Sequence, residues 1–346
     1  MPYSSHMADI YSRLAKVGFD AAFIRDAVLP DWWEDDLAKN PAERAIAEAA
    51  IARHLGMQIA WLRDPSTELA LPPLGKVQFK HRKGTEKGEV LPSVLVAQRA
   101  AQLVAGRLRD LPNFRGSVTA NVLRTEILQK SACVDLPSLL DACWRSGIAV
   151  MPVYLVPKPS KRFEGLALYV DQKPVIVLGS KRDSPAWVIF DLAHEVAHIL
   201  SGHVEPGSVL ADEDISTSPD DDPNETAADE FACELLTGSR TLSFKREPLN
   251  GLALAGAARK YGERRSIMPG VVALIYGKSA DRWGVAQNAL KALGEDRGAH
   301  HVVIKTLCSH MELTDLPEST ARFLEHVVDA SLGARSARQW QKAVSF

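Results

Sequence analysis

Cysteine is scarce in this chain, and its four copies, Cys133, Cys143, Cys233 and Cys308, stand apart without Cys-x-x-Cys spacing. No nucleophilic Cys-His arrangement can be built from them, and in a reducing compartment they read as small buried residues. A strong charge of either sign is also missing. The formal net charge of −2 leaves no overall basic field for nonspecific nucleic-acid binding, so any DNA contact has to be local. No run of 18 apolar residues occurs, which excludes a membrane span. The opening Met-Pro-Tyr-Ser-Ser-His-Met lacks a basic region followed by an apolar core, so a cytoplasmic location is expected. What is present is a chain of 346 residues, 46% apolar, long enough for two or three packed domains.

The densest chemistry lies in Asp191-Leu-Ala-His194-Glu195-Val-Ala-His198-Ile-Leu-Ser-Gly-His203. Two residues four apart on an α-helix are turned by only about 40° and lie one turn apart, so both imidazoles can reach one metal ion. Glu195 projects beside that ion, where it can take a proton from the attacking water. The pattern fixes only three positions and could arise by chance in a structural helix. Its context argues otherwise. Ser184 is placed to cap the helix and Pro185 to occupy its first turn, while Trp187, Phe190, Leu192, Val196, Ile199 and Leu200 make most of its surface apolar. Two histidines and a glutamate are costly to bury in such a helix without a partner, and a metal supplies one. His203, turned about 140° from His198, cannot join the same ligand set on a straight helix and is expected to support or cap.

A catalytic zinc site takes three protein ligands and keeps a position open. Downstream, Asn224-Glu225-Thr-Ala-Ala-Asp229-Glu-Phe231-Ala-Cys-Glu-Leu-Leu predicts a second helix, capped by Asn224 or an earlier Asp. Glu225 could be the third ligand, and Asp229, one turn on, could accept the N–H of a ligand histidine and so set its tautomer. The plainer alternative is a solvated acidic helix start favoured by the macrodipole.

The two helices together resemble the ImmA/IrrE family of metallopeptidases, whose second helix has the form Glu-x-x-Ala-Asn/Asp-x-Phe-Ala-x-x-Leu-Leu. Here it reads Glu225-Thr-Ala-Ala228-Asp229-Glu-Phe231-Ala232-Cys-Glu-Leu235-Leu236. Upstream, Trp144 to Val150, Phe163-Glu-Gly165 and Val175-Ile-Val-Leu178 resemble the sheet before that family's active helix, so the likeness spans roughly residues 130 to 245. Many members continue Leu-Leu with Met-Pro, where this chain has Thr237-Gly238. The resemblance implies Zn²⁺ held by His194, His198 and Glu225, with Glu195 as general base and then acid. It also implies a protein substrate, a DNA-binding repressor of helix-turn-helix type cleaved in response to stress or mobile elements.

Around this core the chain divides into a helical, helix-turn-helix-like segment (1–64), a linker or extended segment (65–92), the metallopeptidase domain (93–245) and a helical C-terminal region (246–346). In the first, Pro41–Leu55 and the helix from Met57 meet at Gly56, an outline that DNA-reading domains share with packed αα-hairpins. Paired Trp32 and Trp33 could anchor a partner or close a helical core. Lys80, Arg82 and Lys83 around Phe79 could contact phosphates or simply be solvated. Strands are predicted at 148–156, 165–171 and 174–179, with a hairpin at Asp171-Gln172. Val175, Ile176, Val177 and Leu178 are the candidate edge strand for binding an extended substrate, against the alternative of an ordinary structural strand. Between the metal helices, Glu205 to Pro223 reads as an acidic loop that could repel acidic substrates.

The fold expected is α+β, a zincin-like core of small twisted sheet plus active-site helices, flanked by mostly helical N- and C-terminal regions. The function expected is zinc-dependent peptide hydrolysis. The rivals are a DNA-binding or antitoxin-like regulator in which the zinc fold senses without cutting, and a zinc amidase. Glu195 separates the peptidase from the regulator, because only hydrolysis needs it.

Overall fold

The computed structural model of the protein describes residues 6–72, 76–79, 87–212, 222–244, 250–311 and 316–328. Helices α1 (His6–Lys16), α2 (Ala21–Phe23, prolonged by a wide turn over Ile24–Val28), α3 (Pro41–Leu55) and α4 (Ile59–Arg63) open the chain. Strand β1 (Lys76–Phe79) follows, then α5 (Lys87–Ala105), α6 (Ala120–Leu128) and α7 (Leu136–Arg145). The central stretch runs β2 (Ala149–Pro152), β3 (Gly165–Val170), β4 (Lys173–Leu178), α8 (Pro185–Leu200), β5 (Ser208–Asp212) and α9 (Pro223–Thr237). The tail is α10 (Gly251–Arg265), α11 (Pro269–Ser279), α12 (Trp283–Leu293), α13 (Ala299–Ser309) and α14 (Glu318–Val328). This is the α+β architecture that the sequence implies.

The strands form one mixed sheet in the order β1-β5-β3-β4-β2, with β1/β5 and β4/β2 parallel and β3 antiparallel to both neighbours. The predicted hairpin is present: Val170 pairs with Lys173, and Asp171 takes the left-handed φ of 56° that a two-residue turn demands. Alternation along the strands divides the interior into two cores. Met151, Leu166, Leu168, Val175 and Val177 face α5 and the N-terminal helices, whereas Val150, Ala167, Ile176 and Leu178 face α8 and the helices around it. The N-terminal segment therefore shares a core with one face of the sheet. Its α4 is a short helix in which Leu62 is buried and Arg63 is held by Glu48 at 2.8 Å.

Two expectations need correction. Val175–Leu178 is not an edge: β4 pairs with β3 on one side and β2 on the other over these four residues, and all four are buried. No main-chain donor or acceptor row is left there for a substrate. The stretch from Glu205 is also not wholly loop, since Ser208–Asp212 joins the sheet between β1 and β3. Leu210 goes into one core and Val209 and Ala211 into the other, a three-residue alternation too short to stand out among polar neighbours. Residues 213–221 of the acidic segment and the Lys80, Arg82 and Lys83 cluster lie outside the described residues.

Buried Arg124 on α6 fixes the end of α9. Its guanidinium donates to the carbonyls of Leu235 and Leu236 at 3.0 and 2.9 Å, and to those of Arg265 and Ser266 at 3.1 and 2.7 Å. It thus caps the C-terminal turns of α9 and α10 together, with the sign that both macrodipoles favour. Gly238, in the left-handed conformation at φ 78°, stops α9 against this arginine. Arg124→Ala should leave those carbonyls short of donors and destabilise the fold by about 3 kcal/mol or more, read as a shift in the denaturant midpoint at unchanged slope.

Candidate metal centre

Helix α8 begins as its sequence dictates, with Ser184 extended at the cap and Pro185 in the first turn. The Ser184 side chain does not cap its own helix. Its hydroxyl donates instead to the Glu295 carbonyl at 2.6 Å, tying the start of α8 to the end of α12. From Asp191 to Leu200 every residue of α8 is buried. Helix α9 crosses it, capped by Asp222, whose carboxylate accepts from the Asn224 N–H at 2.9 Å.

At the crossing, His194, His198 and Glu225 converge, all buried. The Nε2 atoms of the two histidines are 3.0 Å apart. Glu225 places Oε2 3.2 Å from His194 Nε2 and Oε1 3.5 Å from His198 Nε2. A tetrahedral zinc ion with bonds of about 2.0–2.1 Å requires ligand atoms roughly 3.4 Å apart, so the observed triangle has the size of a zinc face.

The outer nitrogens show which lone pairs point inward. His194 Nδ1 lies 3.0 Å from Asp229 Oδ1, and an ionised carboxylate can only accept, so this nitrogen carries the proton. His198 Nδ1 lies 3.0 Å from Nδ1 of His203, whose half-buried ring is held below the ordinary imidazole range chiefly by loss of solvent. A neutral His203 can accept there, leaving His198 Nε2 as a lone pair facing His194 Nε2 and the Glu225 carboxylate. Three lone-pair donors turned toward one point form a cation site, and the donor set fits a divalent transition metal.

Glu195 is almost fully buried and lies against β3. A Cβ built on Gly165 would come within 2.1 Å of Glu195 Oε1, so glycine is required there to admit the carboxylate. His203 takes the supporting place expected of it, because the chain leaves the helix at Ser201-Gly202 and turns the ring back onto His198. Gly165 is the position that sequence reasoning did not assign to the site, and it carries no local signal, because its neighbour is thirty residues away. Asp229 stands where expected and has a second partner, Lys278 on α11, at 3.6 Å. The Val175–Leu178 strand lies in the sheet and contributes nothing at an open edge.

Outer partners of ligand histidines typically account for 10–100-fold in metal affinity. Asp229→Ala should weaken zinc binding within that range, as competition with a chromophoric chelator would measure, and Asp229→Asn should recover only part of the loss.

A helix bearing His-Glu-x-x-His, crossed by a helix bearing a carboxylate and laid on a small mixed sheet, defines the zincin-like class of metallopeptidases. Residues 148–262 match the family model of the IrrE N-terminal-like domain, peptidase family M78. The matched stretch runs from β2 into α10 and contains both helices of the candidate metal centre. No curated protein matches the chain. Among the described residues no helix is long and apolar enough to cross a membrane.

Proposed function

We propose that the protein is a zinc-dependent endopeptidase whose ligands are His194, His198 and Glu225 and whose general base is Glu195. The observation that carries this reading is the triangle of inward-facing lone pairs, 3.0 to 3.5 Å on its edges, with a buried carboxylate next in sequence to one corner. When bound, zinc would polarise the scissile carbonyl and acidify the attacking water. Glu195 takes the water's proton as its oxygen adds to the carbonyl carbon, and returns that proton to the nitrogen as the C–N bond breaks. Asp229 and His203 keep each imidazole in the tautomer that presents Nε2. Gly165 leaves the space in which the Glu195 carboxylate stands.

The substrate proposed is a helix-turn-helix transcriptional repressor, cleaved in the cytoplasm during a stress or mobile-element response. The support is the resemblance of both helices to the ImmA/IrrE pattern together with the family match, an analogy at the level of the family. For the N-terminal helices, DNA contact has less to recommend it, because α4 is short and Arg63 is engaged by Glu48.

Incubating the zinc-loaded protein with the product of a neighbouring repressor gene should give one discrete cut. The cut should vanish with a chelator and return with one equivalent of zinc. Zinc bound at one per chain with the repressor left intact at enzyme-level concentrations would sink the substrate assignment, and absence of stoichiometric zinc would sink the chemistry.

A further inference from the structure

A cavity of about 330 Å³ adjoins the metal centre at His194, and nothing in the mechanism uses its interior. Its walls come from helices α8, α9, α11 and α12 and the loop after α9, and their large apolar members are Trp187 and Phe190 of α8, Leu274 and Ile275 of α11, Trp283 of α12, and Leu242 after α9. Trp187 and Trp283 stack with ring centroids 5.4 Å apart, and the Arg182 guanidinium lies 4.3 Å from the centre of the Trp187 ring on its other side. Five of these six large side chains are only half-buried, although each packs against the main core. They keep apolar surface turned toward a hollow. At one end the hollow is bounded by His194 and Asp229, so it lies one imidazole away from the metal. Five charged groups, Asp191, Asp229, Glu230, Arg240 and Lys278, complete its lining, and four of them form pairs: Lys278 with Asp229 at 3.6 Å and Arg240 with Glu230 at 3.2 Å.

We infer that this cavity receives a bulky apolar side chain, aromatic by preference, from a substrate residue flanking the scissile bond. The inference rests on the peptidase reading above and adds to it a substrate class. Three observations carry it. The cavity shares a wall, the His194 ring, with the centre at which the bond would be cut. Its volume suits the occupant: an apolar cavity of about 150 Å³ already holds a benzene ring, so this one has room for an indole or a phenyl ring with neighbouring backbone. The two bases in its lining, Arg240 and Lys278, are each paired with a carboxylate, and a charged side chain entering the cavity would lose its hydration against the apolar walls. Because β4 has no free edge, a substrate cannot be held there by main-chain pairing.

The test uses the full-length, zinc-loaded protein. Peptides spanning the repressor cut are made with Phe, Leu, Ala or Lys at each of the two positions beside the bond. At one position Phe should exceed Ala by at least tenfold in kcat/KM, within the range that buried apolar groups give in enzyme pockets. Ile275→Trp on one wall and Leu242→Trp on another each fill the cavity, so a folding failure in one leaves the other. In either filled variant the Phe-to-Ala ratio should fall to near one while zinc stays at one per chain. A readout independent of turnover is the ¹⁹F line broadening of N-acetyl-4-fluorophenylalanine amide, expected with wild-type protein and at least tenfold weaker in the filled variants. Cleavage with equal rates for Phe and Ala, or a preference that survives filling, overturns the pocket alone and leaves the peptidase reading standing. Probe binding that filling abolishes, with no peptide cut at all, overturns the peptidase reading and with it the substrate assignment, and makes the cavity a small-molecule site.

Discussion

Glu195→Gln should abolish cleavage, lowering kcat/KM by about 10²–10⁴-fold, while zinc content stays at one per chain. The range is the usual contribution of a positioned proton-transfer group, and the amide keeps the shape of the side chain but has lost the basicity. Because Glu195 lies against Gly165 in a space that admits little more than a carboxylate, the near-isosteric replacement is the informative one, and a larger residue would confound the result with repacking. The measurement is steady-state cleavage beside metal analysis of the same preparation. Unchanged biological function in this variant would show that the zinc fold senses or scaffolds, as in the regulator alternative. Zinc lost together with activity would instead make Glu195 a structural or ligating residue.

Glu225→Ala should remove the third ligand and, with it, stable metal binding. Two imidazoles at 3.0 Å remain, but the carboxylate that closes the face and balances the cation's charge is gone. In wild-type protein, zinc at about a hundred times its Kd should stabilise the fold by about 2.7 kcal/mol. For a chain of 346 residues that is about 4 °C in Tm. The variant should show almost none of this shift in a thermal melt with added zinc, and its zinc should be lost on dialysis. A full zinc-dependent shift in Glu225→Ala would move the third ligand elsewhere. This experiment and the Glu195 one separate holding the metal from using it.

The legible parts of the site are those in which chemistry and helical spacing coincide. His194 and His198 share a face because they are four apart on one helix, and Glu225 and Asp229 share another for the same reason, so each half of the centre is written in a local period. The long helices could be read because Pro185, Asp222, Gly56 and Gly238 punctuate them with the backbone angles and caps that helix ends require. The tail helices α13 and α14 fall in the region expected to be helical, but their return to the sheet, where the Tyr154 N–H donates to the Val327 carbonyl at 2.7 Å just beyond β2, is not legible in the sequence. That contact joins residues far apart in the chain, and no local pattern encodes it. The placing of β4 failed for a related reason. An apolar run of four β-branched and aliphatic residues is the signature of a strand buried on both faces, which is silent about whether its two edges are also paired.

By itself, then, the sequence determined the donor atoms: two imidazoles, a base beside them, a carboxylate and its neighbour one turn on, because residue type and a 3.6-residue period are local properties. Only the tertiary structure decided how those donors meet. It crosses α8 with α9 so that three lone pairs close a triangle of zinc's dimensions, brings His203 back onto His198, and sets Gly165 against Glu195. It also turns Trp187, Trp283 and Ile275 from three separate helices onto one cavity beside His194. Each of these is a through-space relation between segments whose separation along the chain carries no information about distance, and packing of the two cores against the sheet is what sets them.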